Sequence, residues 1–431
     1  MLKSRAIAVV VIIAVMLSGA VFAQDKTIAQ LASETPELST LVSLVEAAGI
    51  TLSGTVYAPT NEAFAAWSQF VTDYVTANPE LLAAVLSYHV AGEAGPTVVT
   101  AADGTVWVDN AQVIGAETAA SDGVLSIIDT VLIPPVELPE VIPADVTGDI
   151  NLAGSSTVFP ISQAVAAAFA DEGFGGEITA DSIGTGAGFE RFCAAEGASD
   201  ISNASRPIRD AEIEACAANN QRVPVGFRVG DDGLAVVVNP ANDWASELTL
   251  AEIALAFSTA ATWADVRPGF PECDIVRFSP GTDSGTFDYF VEEIFDEDEA
   301  PILAASNINL SEDDNILLDG VANNECAIGY FGYAYFSENA DRVSTVAVEG
   351  VQPTAESVNG GTYPLSRPLF IYSASSILAE KPQVGLFLAY YLNRVPDITP
   401  EVGYFLPNPF DFNASKLVLL ALIHEASMGG M

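Results

Sequence analysis

Positive charge is scarce in this chain. Only four lysines occur, Lys3, Lys26, Lys381 and Lys416, and Lys plus Arg total 15 against 57 Asp plus Glu. The formal net charge is −42 at pH 7. A surface this acidic repels the nucleic-acid backbone and anionic lipid head groups, which excludes both as partners. Histidine is nearly missing too: His89 and His424 are the only two and lie far apart. With no HExxH, CxxC or His-rich tract, no metal site is expected. No serine shows a triad signature, so an enzyme is not expected either. The chain has no GxxxxGK[ST] loop, and its glycine-rich stretch lacks the dinucleotide spacing, so no cofactor is expected. After Met16 no apolar run is long enough to span a bilayer.

What is present starts with an export signature. Lys3 and Arg5 precede the unbroken apolar run Ala6 to Met16, and Val21-Phe22-Ala23 supplies small residues at a cleavage site. Residues 1–23 therefore read as a signal peptide, and the protein as secreted, periplasmic or cell-surface. No cysteine precedes Cys193, so a lipid-modified N-terminal cysteine is not expected. Export permits disulfides. Three pairings of Cys193, Cys216, Cys273 and Cys326 are possible; the expected one is Cys193–Cys216 and Cys273–Cys326, because each closes a local loop.

Four prolines fall within Pro134–Pro143, interleaved with Glu137 and Glu140. Such a stretch forms neither helix nor central strand and reads as a stiff linker, residues 135–148. It divides a module at 24–134 from a larger one at 149–431. In the first module, helical patterning runs from Ile28 to Ala48, a strand covers Gly54 to Ala58, and Thr60 or Asn61 caps the next helix. Leu81 to Val90 reads as a helix, and Val106 to Leu132 as strands. The segment Thr55 to Phe64 (TVYAPTNEAF), Tyr88-His89-Val90, and Asp109-Asn110-Ala111 with Ile127 to Leu132 resemble, in order and spacing, the signatures of fasciclin-type domains. The resemblance implies a β-sandwich with flanking helices and a cell-surface or matrix ligand. It makes His89 structural, hydrogen-bonded near Tyr88.

The second module alternates strand-like and helix-like segments, the pattern of an α/β fold with largely parallel sheets in two lobes. Three of its loops share one design. Residues 154–160 (GSSTVFP) follow an apolar strand and precede Ile161, Ala164, Val165, Ala168 and Phe169, at the spacing of a packed helix face. Residues 183–192 (IGTGAGFERF) repeat the plan with alternate glycines, which let the backbone approach a ligand. Residues 281–286 (GTDSGT) precede Phe287, Phe290, Val291, Ile294 and Phe295, again at helical spacing. Each loop sets Ser or Thr hydroxyls and unpaired backbone N–H groups at a helix start, where the partial positive charge suits an anion. A fourth element, residues 200–208 (DISNASRPI), adds Arg206, whose planar fork suits phosphate.

In this order the loops resemble the phosphate-binding subunit of the high-affinity phosphate ABC transporter. The resemblance runs from about Asp149 to near the C-terminus and implies a type II periplasmic-binding-protein fold that closes on inorganic phosphate and delivers it to a membrane permease. It nominates Ser156, Thr157, Val158 (through its N–H), Thr185, Ser284, Gly285 and Thr286 as phosphate contacts. Two positions depart from the enteric form of that family. Pro280 stands where that form has a binding arginine, and Ser205 where it has the aspartate that accepts the phosphate proton. Arg206 is then the candidate replacement for the arginine, and Asp283 for the aspartate. The alternative is an adhesion protein with an anion-sensing domain. The acidic runs Asp296 to Glu299 and Glu312 to Asp314 lack calcium-loop spacing and read as solvated surface.

Overall fold

The structure, a computed structural model, describes residues 26–429 apart from 93–94, 102–103, 197 and 283. The expected signal peptide and Asp283 lie outside the described residues. The chain divides into two compact units, one with the residues up to Ala66 and Ala83–Leu132, the other with Trp67–Leu82 and the chain from Ile133 onward.

The first unit begins with helices Ile28–Glu34 and Ser39–Ala48. Thr27 starts the former through a reciprocal cap with Gln30. Strand Gly54–Pro59 runs parallel to Gly123–Ile128, which pairs antiparallel with Thr118–Ala120. A second antiparallel sheet joins Val98–Thr100, Val106–Val108 and Ala111–Gln112. Thr60 caps helix Asn61–Ala65 through the N–H of Ala63, at 3.1 Å. His89, which is buried, ends the helix Pro79–Tyr88. Its Nδ1 donates to the Val85 carbonyl at 2.7 Å and its Nε2 accepts from the Leu132 N–H at 3.0 Å. Those partners fix a neutral imidazole, and burial lowers its pKa to about 4. Tyr88 donates to Asp109 at 2.9 Å.

The second unit has two cores. In one, parallel strands Ile178–Ser182, Ile150–Gly154 and Ile201–Ala204 pack under Phe159–Asp171 and Pro382–Glu401, with Leu152, Val165, Phe169, Phe387 and Tyr391 buried together. In the other, parallel strands Ile308–Ser311, Val276–Pro280 and Ala327–Gly332 surround Val236, Phe257, Trp263, Phe290 and Tyr330. Two antiparallel strands pass from one core to the other. Val225–Val238 pairs with Ser366–Ser373 from Val225↔Ser373 to Gly233↔Ser366, and with Ala327–Gly332 beyond Leu234. Each lobe is thus a parallel sheet carried on a shared pair of crossing strands. Cys193 bonds Cys216 in the first lobe, and Cys273 bonds Cys326 in the second.

Two segments sit differently from a plain two-module reading. Helix Gln69–Ala77 falls in the second unit, where Phe70 packs against its core and the Tyr74 and His424 rings lie 5.4 Å apart. The proline-rich stretch is irregular and extended, as its prolines require, until the short turn Pro143–Asp145. It is not surrounded by solvent: Leu138, Val141 and Val146 join the first lobe's core, and the Val136 N–H donates to Asn413. No helix among the described residues is long and apolar enough to cross a membrane.

Candidate functional site

The three serine- and glycine-rich loops lie at the carboxyl ends of parallel strands, where open α/β sheets receive ligands. Strand Ile150–Gly154 is buried and apolar, and helix Phe159–Asp171 follows with a proline in its first turn. Between them, Ser155 Oγ accepts the N–H groups of Thr157 and Val158 at 3.2 and 3.4 Å. Strand Ile178–Ser182 leads into helix Thr185–Phe192. Gly188 of that helix lies so close to the first strand that a Cβ there would stand 2.5 Å from the Gly154 Cα. Strand Val276–Pro280 leads into helix Gly285–Phe295, which Ser284 caps by accepting the Thr286 N–H at 3.2 Å.

The first and third loops meet across the lobes. A Cβ on Gly285 would lie 3.0 Å from the Thr157 nitrogen, so any side chain there would push the first loop back by a few tenths of an ångström. Thr157 Oγ1 donates to the Gly285 carbonyl at 3.3 Å, and Ser156 Oγ donates to Asp288 at 2.7 Å. The second and fourth loops meet as well: Thr185 Oγ1 and Ser205 Oγ are 3.0 Å apart, and the Ser205 N–H reaches Thr185 Oγ1 at 3.2 Å. Two helix starts from opposite lobes therefore face one space, with hydroxyl groups from four loops around it.

That space is a cavity of about 840 Å³. Of the residues nominated from sequence, Ser156, Thr157, Thr185, Ser205 and Arg206 line it. Val158 is buried beneath the first loop, while Ser284, Gly285 and Thr286 build the helix start behind the wall. Asp283 lies outside the described residues, although its neighbour Thr282 lines the cavity. Arg206 is held by a bidentate pair with Glu212 at 2.8 and 3.0 Å and stands 3.9 Å from Glu292. The Glu212 hydrogen bonds raise its pKa above the ordinary arginine value, with burial opposing.

Arg367, which no sequence pattern singled out, also lines the cavity. It stands on the crossing strand Ser366–Ser373, and only 6% of its side chain is exposed. Its Nη2 donates to Thr157 Oγ1, and to the Gly285 carbonyl and Asp232 at 3.3 Å each. Its guanidinium lies over the Tyr289 ring, 3.6 Å from the centroid. Asp232 sits opposite Arg367 in the strand register. Burial raises its pKa, and the neighbouring guanidinium opposes the rise. Acidic groups also reach the walls, among them Glu190, Glu297 and Glu299. No cluster of His, Cys, Asp and Glu able to hold a metal occurs among the described residues. Such a site can hold a small tetrahedral oxyanion through N–H and O–H donors with one buried cation.

Comparison with known proteins agrees with this architecture. The model of the PBP superfamily domain matches residues 140–395, and that of the Fasciclin domain residues 36–97. The chain belongs to the periplasmic-binding-protein superfamily and carries a fasciclin domain ahead of it. Among its relatives is protein SphX of Synechococcus elongatus, 42% identical over 270 residues, covering 59% of this chain and 76% of that one. Another is the phosphate-binding protein PstS of Staphylococcus saprophyticus, 34% identical over 286 residues, covering 65% of this chain and 87% of that one. A crystal structure described as a possible phosphate binding protein from Planctomyces limnophilus matches with a TM-score of 0.59 and 39% identity, over 65% of this chain and 99% of that one.

Proposed function

We propose that the second unit captures inorganic phosphate outside the cytoplasm and delivers it to an ABC-type phosphate permease. The observation that carries the reading is the meeting of two helix starts from opposite lobes, at Thr157 and Gly285, over one cavity lined by hydroxyl groups. The relative named for phosphate binding supports the choice of anion. Ser156, Thr157, Thr185 and Ser205 donate to the phosphate oxygens; Ser284 and Gly285 fix the third helix start. A hydrogen bond involving a charged group contributes about 1.5–3 kcal/mol net, so several reach the roughly −8 kcal/mol of micromolar binding. Binding closes the lobes about the crossing strands, and no bond in the ligand is broken. The protein is a carrier, not an enzyme.

Calorimetry of the purified chain with phosphate and with sulfate tests this. Micromolar or tighter phosphate binding without turnover of phosphate esters is expected, and no heat with either anion overturns it. Residues 24–134, with their fasciclin signature, act as an adhesion or tethering module, joined through 135–148 to the binding module at 149–431. A chain lacking 24–134 that still binds phosphate is then released from cells that retain the full chain; equal retention refutes the tether.

A further inference from the structure

We propose that Arg367 is the guanidinium that meets the bound anion and ties the two lobes together on it; the inference rests on the phosphate reading above. Four observations lead there. Arg367 stands on one of the two strands that cross between the lobes, and Asp232, its register partner, stands on the other. Its Nη2 touches the first lobe at Thr157 and the second at the Gly285 carbonyl, so one group bridges both helix starts. It lines the cavity although its side chain is 94% withdrawn from solvent (6% exposed), which places a fixed charge where little water competes. Its Nη1 lies 3.7 Å from Glu292, within ion-pair range but too long for a hydrogen bond.

Arg206 also lines the cavity and lies 3.9 Å from Glu292, but its fork is already taken. Both of its terminal nitrogens are engaged by Glu212 in a bidentate fork. An anion drawing on Arg206 has to displace a carboxylate that already satisfies the guanidinium. An anion drawing on Arg367 takes Nη1, which faces Glu292 at 3.7 Å but forms no hydrogen bond among the described residues, and shares Nη2 with neutral oxygens and one buried carboxylate. A tetrahedral dianion seated between Thr157 and Arg367 compensates the guanidinium, and its oxygens gain donors from both lobes only while the lobes are together. Arg367 thus couples charge recognition to closure.

The test is calorimetry with inorganic phosphate on the full chain and on Arg367→Gln, Arg367→Lys, Arg206→Gln and Asp232→Asn, each checked for a wild-type circular dichroism spectrum. Loss of phosphate affinity of about a hundredfold or more is expected for Arg367→Gln. An intermediate loss is expected for Arg367→Lys, which keeps the charge but not the fork. Arg206→Gln should stay within about tenfold of wild type. Asp232→Asn separates a ligand-binding role from a structural one: with Arg367 serving the ligand, it leaves phosphate binding within about tenfold. Small-angle scattering should show phosphate compacting the wild type but not Arg367→Lys. The inference is overturned if folded Arg367→Gln or Arg367→Lys binds like wild type, or if Asp232→Asn abolishes binding as fully as Arg367→Gln. Absence of phosphate binding by the wild type overturns the functional reading instead.

Discussion

His89 is held neutral by two hydrogen bonds of opposite sense, and acid should release it. The ring donates from Nδ1 to Val85 and accepts at Nε2 from Leu132, so protonation at Nε2 turns the second contact into a clash of donors. Burial lowers the pKa from 6.5 to about 4. In the unfolded chain the group takes up a proton near pH 6.5; in the folded unit it refuses one until about pH 4. Between those values the unfolded state binds more protons, so stability falls as pH drops. At about 1.4 kcal/mol per pKa unit, the full window costs the first unit roughly 3 kcal/mol. The assay is direct because the chain has only two histidines. In ring-labelled protein, one resonance, assigned by its loss in His89→Gln, should stay unshifted from pH 7.5 to about 5. Exchange of the Leu132 amide should accelerate below that range. Titration of the His89 ring near 6.5 in folded protein would refute the reasoning.

Two further outcomes follow from the cavity and its frame. Asp288 lines the cavity and accepts from Ser156, so its carboxylate is placed to take the proton that hydrogen phosphate carries and sulfate lacks; Asp288→Asn should narrow the phosphate-to-sulfate affinity ratio by about tenfold, and competition calorimetry with an unchanged ratio would count against it. Gly188→Ala puts a Cβ 2.5 Å from the Gly154 Cα, where backbone has to move; a loss of about 1–3 kcal/mol in urea unfolding is expected, with weaker phosphate binding as Thr185 shifts, and an unchanged midpoint would contradict the packing.

The loops were legible because their signal is local. An apolar strand, a Ser/Thr/Gly loop and a helix face at i, i+3, i+4 fall within about twenty residues, and each loop carried its own copy. Arg367 was not legible because its significance is made by long-range pairing. Within Ser366-Arg367-Pro368 nothing suggests a ligand; the antiparallel register with Asp232 and the approach of Thr157 supply the meaning. Arg206 attracted notice as a rare cation next to a serine, yet sequence could not show that Glu212, in the helix that follows, would hold it. The proline-rich stretch misled for a related reason. Proline dictates extended backbone but not exposure, and the apolar residues between the prolines, Leu138 and Val141, were available for burial. Helix Gln69–Ala77 carries buried Val71 and Val75, and periodicity alone cannot say which core receives such a helix.

A chain of net charge −42 that gathers an anion is not a contradiction, because the two charge sets act over different distances. A surface carboxylate about 10 Å from the ligand costs it roughly 0.4 kcal/mol per unit charge in water, before salt screens it over a Debye length of about 8 Å. Taken at that distance, Glu190, Glu297 and Glu299 together oppose binding by about the strength of a single hydrogen bond to a charged group. The donors at the floor act at contact distance, where water is excluded and helix starts add their own partial charge. Repulsion from the envelope consequently slows approach more than it weakens the complex, and salt should quicken capture while leaving release almost unchanged. Affinity resides in the few residues where Thr157, Gly285 and Arg367 converge, which is why an acidic surface and an anion site coexist in one fold.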